Sequence, residues 1–69
     1  MKLSARNQLP GTILDVTPGV TTTHVRIQIA GGVVITASIT NEAAEELGLK
    51  PGLSAFAVVK ASNVMVGIV

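Results

Sequence analysis

Two short triplets carry most of the chemistry in this chain: Ser4-Ala5-Arg6 near the N-terminus and Lys60-Ala61-Ser62 near the C-terminus. Each sets a cation two residues from a serine. In an extended chain that spacing turns cation and hydroxyl to the same side. A tetrahedral oxyanion presents only acceptors, so it is held by donors from all directions: a guanidinium fork, an ammonium, hydroxyl O–H groups and backbone N–H groups. Arg6, Lys60, Ser4 and Ser62 are such donors, and each triplet reads as half of an anion site.

Other chemistry is hard to assemble from the remaining inventory. There is no cysteine, and His24 is the single histidine, so neither a cysteine nucleophile nor a multi-ligand zinc site is available. A Ser-His-Asp arrangement would need His24 beside Asp15 and a serine, but His24 falls mid-strand, where a surface imidazole suffices. Glu42, Glu45 and Glu46 stand at helical spacing and read as a solvated face that also favours a helix N-terminus. Gly31-Gly32 lacks the strand-to-helix context of a phosphate loop. The chain is therefore expected to be a binding protein, not an enzyme, and to carry no cofactor.

The elements that must position these groups are mostly strands. Thr23 to Ala30 alternates strictly, with Val25, Ile27 and Ile29 on one face and His24, Arg26 and Gln28 on the other. Gly31-Gly32 supplies a two-residue turn and Val33 to Ile39 the return strand, giving a hairpin over about 22–39. Leu9 to Val16 reads as a first strand, entered through Pro10-Gly11 and closed by Thr17-Pro18-Gly19. Ser54 to Lys60 and Val64 to Val69 are two further β-rich runs, which brings the expected count to five strands. Between the third and fourth, Thr40 or Asn41 caps a short helix that Gly48 ends, and Lys50-Pro51-Gly52 turns the chain into the fourth strand. The expected fold is mainly β: a small five-stranded OB-like barrel with one short helix between strands 3 and 4.

Composition narrows the classes further. The chain has 69 residues, 48% of them hydrophobic and 1% aromatic, with 5 Lys and Arg against 4 Asp and Glu for a net charge of +1. Residues 1–69 are expected to form a single domain. A five-stranded barrel that binds single-stranded nucleic acid uses aromatic platforms and a cationic groove, and Phe56 with a net charge of +1 provides neither. No run approaches the ~18 apolar residues of a membrane span, and Lys2 and Arg6 interrupt any leader-like hydrophobic region, so a cytoplasmic location is expected. With neither disulfide nor zinc site to staple so small a core, self-association is the expected route to stability.

Taken together, Ser4-Ala5-Arg6-Asn7-Gln8 with Gly11, Thr36-Ala37-Ser38-Ile39-Thr40, Glu45-Glu46-Leu47-Gly48-Leu49 with Gly52, and Lys60-Ala61-Ser62-Asn63-Val64-Met65-Val66-Gly67 resemble the molbindins. These are the single-Mop-domain members of the molybdate- and tungstate-binding family, and the likeness runs from Leu3 to Gly67. The resemblance implies an OB-like barrel that assembles as a hexamer, a trimer of dimers, with the oxyanion held between subunits. It implies oxyanion contacts at Ser4, Arg6, Thr40, Lys60, Ala61 and Ser62, with Ala61 contributing backbone only and Arg6 acting partly as a structural clamp. A second class of site near threefold axes belongs to the family and is not assigned to residues here. The functional expectation is reversible binding of molybdate or tungstate for intracellular storage. The alternatives are an oxyanion sensor acting through a partner protein and, further off, an OB-type nucleic-acid module.

Overall fold

The computed structural model describes residues 1–69. The chain forms four strands, β1 (Asn7–Pro18), β2 (Thr22–Ile29), β3 (Val34–Thr40) and β4 (Ser54–Val59), with one helix, α1 (Asn41–Glu46), between β3 and β4. All neighbours are antiparallel in the order β3-β2-β1-β4, so the sheet curls into an OB-like half-barrel with β3 and β4 as its two edges.

The alternation of β2 decides which face turns inward. Val25 lies opposite Val16 on β1 and Ala37 on β3, and Ile27 lies opposite Ile13 and Ile35, so apolar side chains stack across three strands on the concave face. Ile13, Val25, Ile27 and Ala57 form the buried core, with Leu9, Ile29, Ile39, Leu49 and Leu53 among those packed against it. Thr23 is the one fully buried polar side chain, and its hydroxyl donates to Asn41 Oδ1 at 2.6 Å. That bond cancels most of the cost of burying the hydroxyl and ties the start of α1 to β2.

Three expectations from the sequence need correction. β1 is longer than Leu9 to Val16, and Pro10-Gly11 lies inside it instead of forming its entry turn. Pro10 is tolerated because the ladder to β2 begins only at Gly11, so at Pro10 the strand has a neighbour on one side only. The β2–β3 connection spans three residues, Ala30–Gly32, closed by Ile29 N donating to Val33 O at 2.8 Å, with both glycines at φ +80°. The third correction concerns strand number: the sheet has four strands, because Val64–Val69 pairs with nothing in its own chain. High β-propensity supplies a willing strand but no partner.

A bulge between Ile13 and Asp15 places Asp15 opposite Arg26 on the convex face. Arg26 Nε donates to Asp15 Oδ2 at 2.8 Å, and Nη2 donates to the same oxygen. This hydrogen bond holds the Asp15 carboxyl below the ordinary aspartate value of 3.8. A depressed folded-state value means the pair stabilises the fold above the unfolded pKa, and the gain is lost as pH falls through the folded one. Both partners are solvent-exposed, so the effect is small. Asp15→Asn is accordingly expected to lower the urea midpoint slightly at pH 7 and to leave it unchanged at pH 2, which paired denaturation curves will read.

Candidate functional site

Antiparallel pairing of β1 with β4 is what joins the two triplets. Asn7 lies opposite Val59, so the residues just before β1 and just after β4 emerge at the same end of the sheet. Two side-chain bonds hold the N-terminal segment there: Asn7 Nδ2 donates to Val59 O at 3.1 Å, and Gln8 Nε2 donates to Ala5 O at 2.9 Å. On the other side the chain turns through Ala61–Asn63, closed by Asn63 N donating to Lys60 O at 2.9 Å and Val64 N donating to Ala61 O at 3.2 Å. The amides of Ala61 and Ser62 open this turn and have no partner within it.

The result is a groove of about 680 Å³ lined by Ser4, Ala5, Arg6, Val58, Lys60, Ala61, Ser62 and Asn63. Its lining holds two cations and no carboxylate. The chain's only ion pair is Arg26 with Asp15 on the convex face, so Arg6 and Lys60 are uncompensated. Two unpaired cations in one groove attract an anion, and hydroxyls of Ser4 and Ser62 with the opening amides of the turn supply further donors. Ser4, Arg6, Lys60, Ala61 and Ser62 are all exposed, so one chain alone leaves the groove wet on its open side.

Five of the six expected contact residues therefore share one groove, and Thr40 does not. It ends β3, at the opposite edge of the sheet, where its hydroxyl accepts from Ala43 N at 3.1 Å and caps α1. The helix closes with Gly48 N donating to Glu45 O and Leu49 N to Ala44 O, the paired bonds of a left-handed cap with Gly48 at φ +62°. Thr40→Ala is expected to cost about 1 kcal/mol through loss of the cap, and Thr40→Ser to recover most of it, by urea denaturation. Asn63 and Val58 also line the groove and were not among the expected contacts; the position of Asn63 beside the Lys-Ala-Ser triplet was the available signal.

The remaining candidates do not assemble into chemistry. His24 is exposed on the convex face between Thr17 and Ser38, while Asp15 is engaged by Arg26, so no histidine–carboxylate dyad forms. No group of three or more His, Cys, Asp or Glu is placed to hold a metal ion. No helix is long and apolar enough to cross a membrane.

Comparison with known proteins decides the family. The TOBE domain model matches residues 3–66. The chain belongs to the TOBE domain family. Within it, this TOBE chain is 47% identical over 66 residues to molybdenum-pterin-binding protein 2 of Clostridium pasteurianum, covering 96% of this chain and 97% of that one. A molybdate-binding protein from Sporomusa ovata superposes with a TM-score of 0.92 at 31% identity, covering 99% of this chain and all of the other. The cytoplasmic molybdate-binding protein ModG superposes with a TM-score of 0.89 at 51% identity, and there the match covers 94% of this chain and 46% of ModG. These relatives are Mop-type, or molbindin, proteins, and all are named for binding, not for catalysis.

Proposed function

We propose that this TOBE chain binds molybdate reversibly in the groove between the segment before β1 and the turn after β4. The observation that carries the reading is the pair of uncompensated cations, Arg6 and Lys60, meeting in a groove free of carboxylates. Charge on the dianion is balanced by Lys60 and by Arg6. Its oxygen lone pairs accept from the Ser4 and Ser62 hydroxyls and from the amides of Ala61 and Ser62. No bond is made or broken, so the reading is of a binding protein and not an enzyme, with molybdate as cargo and no resident cofactor.

A partly dehydrated site needs cover, and the exposed groove points to a second subunit as the source. An arrangement in which a neighbouring copy brings its Thr40 over the groove would unite all six expected contacts, and a hexamer built as a trimer of dimers provides such interfaces. The second site class near the threefold axes stays unassigned to residues. Tungstate, nearly the same size as molybdate, is bound equally in this reading, whereas smaller sulfate leaves donors unfilled and is rejected. Residues 1–69 act as one Mop domain serving oxyanion storage and homeostasis in the cytoplasm.

Isothermal titration with molybdate, tungstate and sulfate tests the reading. Saturable binding of the first two with similar affinities, and at least about 100-fold weaker sulfate binding, is the expected result, a gap of roughly 2.7 kcal/mol. Equal binding of all three would reduce the groove to a general anion patch. The sensor alternative differs in requiring a protein partner whose capture depends on molybdate.

A further inference from the structure

The two halves of the groove are not held equally. Lys60–Asn63 is closed by two backbone bonds of its own, from Asn63 N to Lys60 O and from Val64 N to Ala61 O. Met1 to Arg6 lies outside every strand and helix and makes no backbone–backbone hydrogen bond. A segment without a ladder is ordered by whatever side-chain bonds reach it. Here one does: Gln8 Nε2 donates to Ala5 O at 2.9 Å. Ala5 is partly buried, while Ser4 and Arg6 on either side of it are exposed.

Gln8 is itself fixed. It lies on β1 opposite Val58 on β4, and its neighbour Asn7 donates through Nδ2 to Val59 O at 3.1 Å. The anchor for Ala5 is therefore carried by the same strand pair that carries Lys60. What it holds is a peptide plane. The Ala5–Arg6 bond is trans, so its C=O and N–H point to opposite sides. With Ala5 O held toward Gln8, the Arg6 N–H is turned away from Gln8, and that amide has no partner in the chain. Gln8 is uncharged and does not line the groove, so this plane is its route to a bound ion.

We infer that Gln8 is a positioning residue for the anion: its side-chain amide fixes the Ala5–Arg6 peptide plane, and with it the Arg6 amide and guanidinium, before the ion arrives. The inference rests on the proposed groove. A segment that samples several arrangements binds with its intrinsic affinity reduced by the fraction of time spent in the competent one. Gln8 keeps that fraction high, so the ion does not have to order Ser4–Arg6 itself.

Gln8→Met keeps the length and removes the donor, whereas Gln8→Asn keeps the donor and removes the reach. Molybdate titration, urea denaturation and amide nitrogen relaxation compare both with the wild type and with Lys60→Ala. Both Gln8 variants are expected to bind molybdate about 3- to 10-fold more weakly, the size of one neutral hydrogen bond. Their urea midpoints are expected to stay nearly unchanged, because no residue before Asn7 belongs to the core. Without ligand, the order parameters of Ser4–Arg6 are expected to fall from about 0.85 to below about 0.6, and to recover on saturation with molybdate. A purely structural role would instead lower the midpoint and leave affinity as it is. If one variant fails to fold, the other decides; loss of the fold in both would make Gln8 a structural residue and overturn the inference. Full affinity in both Gln8 variants beside weakened binding by Lys60→Ala would overturn the inference and leave the groove standing. A wild type that takes up no molybdate, or a Lys60→Ala chain that binds it equally well, would overturn the groove and the inference together.

Discussion

With the anion in the proposed groove, Lys60→Ala is expected to lower molybdate affinity by about 10- to 100-fold while leaving the sheet intact. The size follows from removing one charge-assisted donor from an anion site, a loss of about 1.5–3 kcal/mol. The selectivity follows from position: Lys60 lies just beyond β4, is exposed, and makes no hydrogen bond through its ammonium to the rest of the chain. Truncation therefore removes the proposed ligand contact without opening a cavity. Arg6→Ala is expected to act in the same direction but with some loss of order in the N-terminal segment, since Arg6 adjoins the Asn7 and Gln8 anchors. Titration calorimetry paired with far-ultraviolet circular dichroism separates the two effects. Unchanged affinity in Lys60→Ala would remove Lys60 from the site.

The second large effect belongs to Gly11, and it falls on folding instead of binding. Gly11, like Thr12 after it, pairs on both sides of β1, with Ile29 on β2 and Ala55 on β4. A Cβ built there would lie 2.5 Å from Gln28 O and 2.9 Å from Ile27 Cγ2. The first of these is backbone held in a ladder, which cannot swing aside, so the strands must separate. Overpacking of this kind costs about 1–3 kcal/mol for modest intrusions, against a total stability of roughly 3–10 kcal/mol for a chain of this length. Gly11→Ala is expected to lose about 2 kcal/mol or more in urea denaturation, and Gly11→Val to be largely unfolded by circular dichroism. A stable Gly11→Val chain would show that β1 and β2 are farther apart there than the sheet requires.

Gly11 also illustrates where sequence reading ran out. Pro10-Gly11 has the composition of a turn, and nothing in the one-dimensional pattern distinguishes a glycine chosen for φ from one chosen for close approach. The hairpin of β2 and β3 was legible because Val25, Ile27 and Ile29 alternate with polar residues over one face. The helix is legible from its ends, Thr40 or Asn41 as cap and Gly48 as stop; in the structure Thr40 is the cap and Gly48 takes the positive φ just past the end. The bulge at Ile13–Asp15 was not, since one extra residue leaves the surrounding apolar pattern of β1 readable in either register. For Val64–Val69 the sequence offers propensity alone, which reports what a segment favours and not whether its own chain offers it an edge.

The candidate site divides in the same way. Ser4, Arg6, Lys60, Ala61 and Ser62 converge because the two triplets flank antiparallel partners, a relation that pairing of Asn7 with Val59 creates and that spacing along the chain does not display. Thr40 joined the expected set through family resemblance only. In the folded chain it caps α1 at the far edge of the sheet, away from the other five.

The central claim is that the anion sits between Ser4–Arg6 and Lys60–Ser62. Crystals grown with molybdate and measured near the molybdenum absorption edge test it most directly, because anomalous density locates the metal without reference to the protein. The account predicts a peak about 4 Å from Lys60 Nζ and from the Ala61 and Ser62 amides, the separation set by one Mo–O bond and one charge-assisted hydrogen bond. A peak outside this groove, or none from a protein saturated with molybdate, would contradict it.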